Sequence, residues 1–262
     1  MGTRERYEPG TFCWVDLQTT DPEAAKAFYT ALFGWSAVDM PVGDGSIYTM
    51  LQQDGVDVAA LSAMQPDMEA QGIPPHWSNY VSVVDADATV AKARELGGVV
   101  FGEPFDVLDA GRMAVIQDPT GATVMAWQPG RHIGASRVND PGTLCWNELA
   151  TRDVQAARSF YEGLFGWQTE PIEENGHVVY VTIKNGERIN GGMMPMTPKH
   201  GDAPPHWLPY FTTTSCDEAV SRLNELGGTM LAGPIEMGAG RIAVVRDPQG
   251  AAFALFEGEV DD

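Results

Sequence analysis

Cysteine is scarce in this chain: three in 262 residues, with no close pair. That cannot build a disulfide framework, and it fits a reducing cytoplasm. No apolar run reaches the roughly 20 residues that a membrane-spanning helix needs. The first ten residues, MGTRERYEPG, have no apolar h-region, so no secretory signal is expected. Basic residues are few, 16 Lys and Arg against 36 Asp and Glu, for a net charge of −20. Such a chain repels nucleic-acid phosphates and anionic headgroups, so neither nucleic acid nor membrane is expected as a partner. The same charge either favours a cationic ligand or serves solubility alone. Common catalytic signatures are also missing. There is no G-x-S-x-G elbow, no P-loop and no G-x-G-x-x-G after a strand.

What is present is an internal repeat. Pro9-Gly10-Thr11-Phe12-Cys13-Trp14-Val15-Asp16-Leu17 returns as Pro141-Gly142-Thr143-Leu144-Cys145-Trp146-Asn147-Glu148-Leu149. Phe28-Tyr29 and Leu32-Phe33-Gly34-Trp35 recur as Phe160-Tyr161 and Leu164-Phe165-Gly166-Trp167. Pro74-Pro75-His76-Trp77 recurs as Pro204-Pro205-His206-Trp207, and Asp118-Pro119-Thr120-Gly121 as Asp247-Pro248-Gln249-Gly250. The offset starts at 132 residues and slips to 130 and then 129. A period of that size is a domain duplication, not a solenoid. The reading is therefore two domains, 1–130 and 139–262, joined by a linker at 131–138.

Each copy alternates strand, helix and strands, twice over. In the first, Thr11–Thr19 is β-rich, Asp21 is a helix N-cap and Pro22 takes the first helical position. Ala25, Phe28, Tyr29, Leu32 and Phe33 fall on one helical face, and Gly34 supplies the left-handed stop. Strands are expected near Trp35–Met40, Ser46–Gln52 and Val58–Met64, split by the Gly43-Asp44-Gly45 and Asp54-Gly55 turns. The second half repeats the order. Trp77–Val84 is a strand, Asp85 or Asp87 caps a helix through Leu96, and strands follow near Val99, Arg112–Gln117 and Ala122–Gln128. Each copy thus holds two βαβββ units, and the chain holds four.

This succession resembles the vicinal oxygen chelate superfamily of glyoxalases, extradiol dioxygenases and bleomycin-resistance proteins. The Asp21…Phe28-Tyr29…Leu32-Phe33-Gly34 helix and the Asp-Pro-x-Gly turn carry the resemblance in both copies. It implies an α+β fold: two tandem glyoxalase-like domains, each pairing βαβββ units into an open, U-shaped sheet. Family enzymes hold a divalent metal with His, Gln or Glu side chains facing the cleft. Here the implied ligand positions are Trp14 and Trp146, then Ser78 and Leu208, then Met125 and Ala254. Val58–Met64 offers no His or Glu. Those side chains cannot hold Zn, Fe(II) or Mg, so no metal and no cofactor is expected.

Aromatic and polar side chains replace the metal. Trp14 should face the cleft, with Phe12 and Asp16 beside it by strand alternation, and Trp127 on the same face as Met125. The second copy offers Leu144, Trp146, Glu148 and Phe256. These rings either line a pocket or plug it. The expected ligand-binding set is Trp14, Asp16, Tyr48, His76, Trp77, Arg112 and Trp127, with Trp146, Glu148, Tyr180, His206, Trp207 and Arg241 in the second copy. His76 and His206 either touch a ligand or fix their loops by a hydrogen bond. Arg112 and Arg241 either clamp a ligand with Asp16 and Glu148 or pair at the sheet rim. Cys13 and Cys145 are packed thiols, away from the cleft.

The leading expectation is a metal-independent binding protein that sequesters an aromatic or cationic small molecule, as a cytoplasmic monomer or homodimer. The alternative is a metal-free enzyme, an isomerase, lyase or hydroxylase-like protein. It would use Asp16 or Glu148 as base and His76 or His206 as acid. A third reading has both clefts plugged and the protein acting as an interaction module.

Overall fold

The computed structural model describes residues 2–43 and 45–260. The centre of the expected Gly43-Asp44-Gly45 turn and the outermost residues of both domains lie outside that range. The first βαβββ unit runs β1 (Phe12–Thr19), α1 (Pro22–Phe33), β2 (Ser36–Pro41), β3 (Ile47–Gln53) and β4 (Val56–Ala63). A five-residue helix, α2 (Pro66–Ala70), leads to the second unit. That unit holds β5 (His76–Ser82), α3 (Ala86–Glu95), the short β6 (Val99–Val100) and β7 (Phe105–Val107), then β8 (Gly111–Gln117) and β9 (Thr123–Pro129). The third unit is β10 (Leu144–Thr151), α4 (Val154–Phe165), β11 (Gln168–Glu174), β12 (His177–Asn185) and β13 (Arg188–Pro195). The fourth is β14 (His206–Thr212), α5 (Cys216–Glu225), β15 (Thr229–Met237), β16 (Gly240–Arg246) and β17 (Ala252–Gly258).

Each half forms one open sheet. The orders are β2-β3-β4-β1-β5-β9-β8-β6, with β7 on β8, and β11-β12-β13-β10-β14-β17-β16-β15. Within a unit the first and last long strands run parallel, as β1 with β4 and β5 with β9. The two units of a half join antiparallel through β1 and β5, and through β10 and β14. The four-unit architecture read from the repeat is the one observed. The helix α2, the small β6–β7 division and a single 3-10 turn at Pro198–His200 were not foreseen, and none carries a periodic signal long enough to read.

The helix signals operate as local chemistry predicts. Asp21 accepts a hydrogen bond from the Ala24 N–H at 3.0 Å, and Pro22 opens α1 without wasting a donor. Gly34 closes α1 at φ 73°, where a Cβ would be strained. Asp85, not Asp87, caps α3 through the Ala88 N–H.

The halves are bound by their helix faces. Tyr29 of α1 donates to Asp247 Oδ2 in the last turn of the other half, at 3.0 Å. Trp77 Nε1 donates to the Tyr29 hydroxyl at 3.1 Å. The mirror arrangement has Trp207 Nε1 on the Tyr161 hydroxyl at 2.8 Å, with Tyr161 facing Asp118. There the contact is looser, and Asp118 Oδ2 lacks a partner of full hydrogen-bond geometry. Two more tryptophans cross the seam, Trp35 to the Gly142 carbonyl at 2.8 Å and Trp167 to that of Gly10 at 2.7 Å. Phe211 and Phe253 pack around Tyr29, Phe33 and Trp35. Hollows of about 330 Å³ and 180 Å³ lie along this seam, beside Phe28 and Leu226 and beside Phe33 and Thr213. Among the described residues no helix is long and apolar enough to cross a membrane.

This seam predicts a stability hierarchy. Asp247 Oδ1 also accepts the backbone N–H groups of Gln249, Gly250 and Ala251. Removing a buried multi-bond acceptor costs about 2–4 kcal/mol, and removing one buried hydroxyl about 1–2. Asp247→Ala should therefore lower the urea midpoint more than Tyr29→Phe, with the denaturant slope unchanged. Equal midpoints for both variants and wild type would mean the bond does not join the halves.

Candidate functional site

On the sheet face where the family resemblance sets the cleft, each half carries one buried carboxylate, Asp16 or Glu148. In the first half β1 presents Trp14 and Asp16 two residues apart, on the same face. Across the antiparallel pairing Trp14 opposes Tyr80 and Asp16 opposes Ser78. Asp16 Oδ2 accepts hydrogen bonds from the Tyr80 hydroxyl at 2.7 Å and the Tyr48 hydroxyl at 3.1 Å. Tyr48 can orient its proton to Asp16 because its oxygen accepts from Trp14 Nε1 at 3.0 Å. The result is a directional chain, Trp14 to Tyr48 to Asp16, with Tyr80 closing on the same oxygen.

The second half repeats it with one change. Glu148 Oε1 accepts from Tyr210 at 2.7 Å, and Trp146 Nε1 donates to the Tyr180 hydroxyl at 3.2 Å. Glu148 is a methylene longer than Asp16. Opposite it on β13 stands Gly192, where the first copy has Ala60 opposite Asp16. A Cβ on Gly192 would lie 1.9 Å from the Tyr180 hydroxyl oxygen. The tyrosine thus occupies the space that the missing methyl leaves.

Burial pushes both carboxyls above the ordinary carboxylate range. For Asp16 the hydroxyls of Tyr80, Ser78 and Tyr48 and the Gln18 amide pull back against it. For Glu148 the opposing pull comes from Tyr210, Tyr180 and the charge of His200. The tyrosine hydroxyls are themselves pushed up, first by burial and then by the adjacent carboxylate. They are donors to the carboxylate, not anions.

Several expected site residues stand elsewhere. Trp77 and Trp207 point to the opposite face of their strands and serve the seam between the halves. The cause is alternation: on β5 and β14 the cleft face belongs to Tyr80 and Tyr210. Phe12 was expected beside Trp14, but a bulge between them reverses its direction. Phe12 packs on Trp167 and Trp207 instead. The same irregularity precedes Trp146, and Leu144 joins the buried core.

The arginines hold surface acids. Arg112 is bound to Asp87 at 2.8 Å and Asp106 at 2.9 Å, and Arg241 to Asp217 at 2.8 Å and Glu236 at 2.9 Å. Neither clamps Asp16 or Glu148. His76 and His206 donate from Nδ1 to the carbonyls of Pro74 and Pro204 at 2.8 and 2.9 Å, fixing their loops. The shortest hydrogen bonds to the cleft carboxylates come from tyrosines, Tyr80 to Asp16 and Tyr210 to Glu148. Trp127 lies at the first cleft, where its Nε1 donates to the His132 carbonyl at 2.9 Å. Cys13 and Cys145 direct their thiols to the Tyr80 and Tyr210 carbonyls, and burial pushes both thiols up.

This donor set does not fit a divalent metal. One carboxylate, already bound by tyrosine hydroxyls and flanked by Trp, Ser or Leu, and Met or Ala, lacks the second and third ligands such a site needs. Among the described residues no three His, Cys, Asp or Glu side chains converge.

The raised carboxyls make a pH prediction. An acid whose value is higher folded than unfolded holds more protons in the fold, so stability falls as the pH rises from about 4. Above the folded values the loss is complete. Asp16→Asn and Glu148→Gln keep the shape without the charge, and each should melt higher than wild type at pH 7. That difference should vanish near pH 4. Melting curves from pH 4 to 8 test it, and variants less stable than wild type at pH 7 would contradict it.

The match to known proteins is with that same fold. A model of the Glyoxalase/Bleomycin resistance protein/Dioxygenase superfamily matches residues 11–126 and 143–255. CFP32 of Mycobacterium bovis, a protein provisionally named a glyoxylase, is 44% identical over 98% of this chain and 98% of its own length. The anthracycline biosynthesis protein DauV of Streptomyces sp. strain C5 is 35% identical over 96% of this chain and 94% of its own. Among solved structures, the Mn(II)-bound glyoxalase of Novosphingobium aromaticivorans superposes with TM-score 0.66 at 17% identity, covering 100% of this chain and 85% of that one. The 2,3-dioxygenase LapB of Pseudomonas sp. KL28 gives 0.67 at 13%, covering 97% and 94%. Repeat, sheet order and sequence match agree over both halves: the chain belongs to the glyoxalase/bleomycin resistance protein/dioxygenase superfamily.

Proposed function

We propose that this protein binds an aromatic or cationic small molecule in its cleft without a metal. The observation that carries the reading is a buried carboxylate that, among the described residues, pairs with no Lys or Arg and has only the weaker pull of the His200 charge set against its burial. Glu148 accepts from tyrosine and meets no Lys or Arg, although the chain's arginines pair with acids elsewhere. A buried carboxylate is costly unless its charge is matched. A ligand ammonium or other donor would match it. Trp146, Tyr180 and Phe256, all half-buried, offer the flat walls that an aromatic ring would use. The net charge of −20 attracts cations to the site. A 35% identical relative is named for anthracycline biosynthesis, and the flat fused rings of an anthracycline would suit such walls. The three unpaired cysteines fit a cytoplasmic setting. Domains of 1–130 and 139–262 joined by 131–138 would each hold one cleft.

A second reading shares the same atoms. A carboxyl pushed up by burial and flanked by tyrosine hydroxyls is suited to move a proton, as a metal-free isomerase or lyase would require. Turnover of an anthracycline or related polyketide, lost in Glu148→Gln, would favour that reading over binding alone.

Binding is tested by titrating an amino-bearing anthracycline and following tryptophan fluorescence. Trp146→Ala should weaken binding by about 1–3 kcal/mol, in line with aromatic anchors. Glu148→Gln should weaken an amino-bearing ligand more than its deaminated analogue. Trp14 is only 3% exposed, so Trp14→Ala should instead cost about 3–5 kcal/mol of stability. A wild type that binds neither form across a broad panel would remove the proposal.

A further inference from the structure

The two clefts share a design but not a state. Trp14 is buried and Trp146 is half-buried, although each donates its indole N–H to the equivalent tyrosine. The difference is the segment that follows β9. It turns back over the first cleft and sets the His132 ring edge-to-face on Trp14, with centroids 4.6 Å apart and planes at 86°. We propose that this segment is a built-in occupant. His132 stands where a ligand ring would stand, so that only the second cleft is a working site, and its ligand presents a flat aromatic or heteroaromatic ring edge-on to Trp146. This rests on the reading of the clefts as binding sites.

The segment is fastened at both ends of the crossing. His132 N–H donates to the Ala110 carbonyl at 3.0 Å, and the His132 carbonyl accepts from Trp127 Nε1 at 2.9 Å. Ala135 N–H donates to the Cys13 carbonyl at 2.8 Å, and its own carbonyl accepts from Tyr7 at 2.7 Å. Gly134, at φ 112°, passes so close to β1 that a Cβ would lie 2.2 Å from the Cys13 oxygen. A strap pressed this tightly shuts the mouth beside Trp14. The His132 Nε2 is buried without a hydrogen-bond partner. The ring is therefore placed by its backbone and by the Trp14 and Trp127 rings, and contributes shape more than polar recognition.

Among the described residues the second cleft has neither the occupant nor its fastening. Among the described residues no aromatic ring packs on Trp146 as His132 packs on Trp14. Pairing of Met113 with Trp127 corresponds to pairing of Ile242 with Phe256, so Phe256 takes the place of Trp127. Phenylalanine has no N–H with which to hold a strap. An external ring on Trp146 would also reach toward the Glu148 carboxylate, gaining the polar contact that His132 lacks.

The test separates occlusion from binding. Acrylamide quenching of tryptophan fluorescence is compared in wild type, His132→Gly and His132→Phe, each with and without Trp14→Phe or Trp146→Phe to isolate the two signals. Melting curves confirm that each variant is folded. Trp14 should be shielded in wild type and in His132→Phe, and quenchable in His132→Gly. Titration with an amino-bearing anthracycline should give one site per chain in wild type and two in His132→Gly. A Trp14 as quenchable as Trp146 in wild type, or still shielded in His132→Gly, overturns the proposal. So does wild type with two equal sites. If the quenching pattern holds and no variant binds the anthracycline, the occlusion stands and the binding function falls.

Discussion

The buried aspartate of each Asp-Pro-x-Gly turn is the contact on which the architecture depends. Asp247 folds its own turn by accepting three successive backbone N–H groups on one oxygen, and with the other it takes the hydroxyl of Tyr29 from the opposite half. One carboxylate therefore sets the entry into β17 and the position of α1 against it. Strand β17 pairs with β14, and β14 supplies Tyr210 to the second cleft. The seam and the cleft are thus consecutive layers of one packing order. The Phe-Tyr and Asp-Pro-x-Gly motifs of the repeat meet across the halves, not within them.

That cross-half meeting explains what the sequence could and could not disclose. The four units were legible because each is announced by local chemistry: Asp21 before Pro22, Gly34 after an apolar helical face, a Gly-containing turn before each last strand. Strand alternation also put Trp14 and Asp16 on one face, while Tyr48 stood in the expected binding set with nothing in the sequence to orient it. Tyr80 and Tyr210 were within reach of the same argument, since they lie four residues after His76 and His206 on the same strand face. Trp77 and Trp207 attract attention as large rings in a repeated motif, and that motif turns out to serve the seam. Phe12 could not be oriented without knowing of the bulge, because a single inserted residue inverts every earlier side chain. His132 carries no periodic signal. Its role arises from a strap folded back over a distant strand, which only the tertiary structure shows.

The chemistry of the cleft follows from exchanging a metal for hydrogen bonds. A divalent cation would neutralise a buried carboxylate and fix its geometry. Here two hydroxyls fix the geometry of Asp16 and leave the charge unmatched, which is why burial dominates over the hydrogen bonds in setting its protonation. The tyrosines cannot complete the neutralisation, because they are held as neutral donors. Orientation and charge balance, which a metal supplies together, are separated. The first is built into the chain, and the second falls to solvent protons or to a ligand.

The exchange of one carbon between strands has a historical consequence. Asp16 faces Ala60, and Glu148 faces Gly192, so the carbon gained on β10 is lost on β13. The sum is conserved while its distribution is not. An ancestor passing from one arrangement to the other by single substitutions would meet either a methyl driven into a tyrosine hydroxyl or a carboxylate that no longer reaches it. Each copy therefore sits in its own basin at this position, and no single substitution there converts one half's arrangement into the other's.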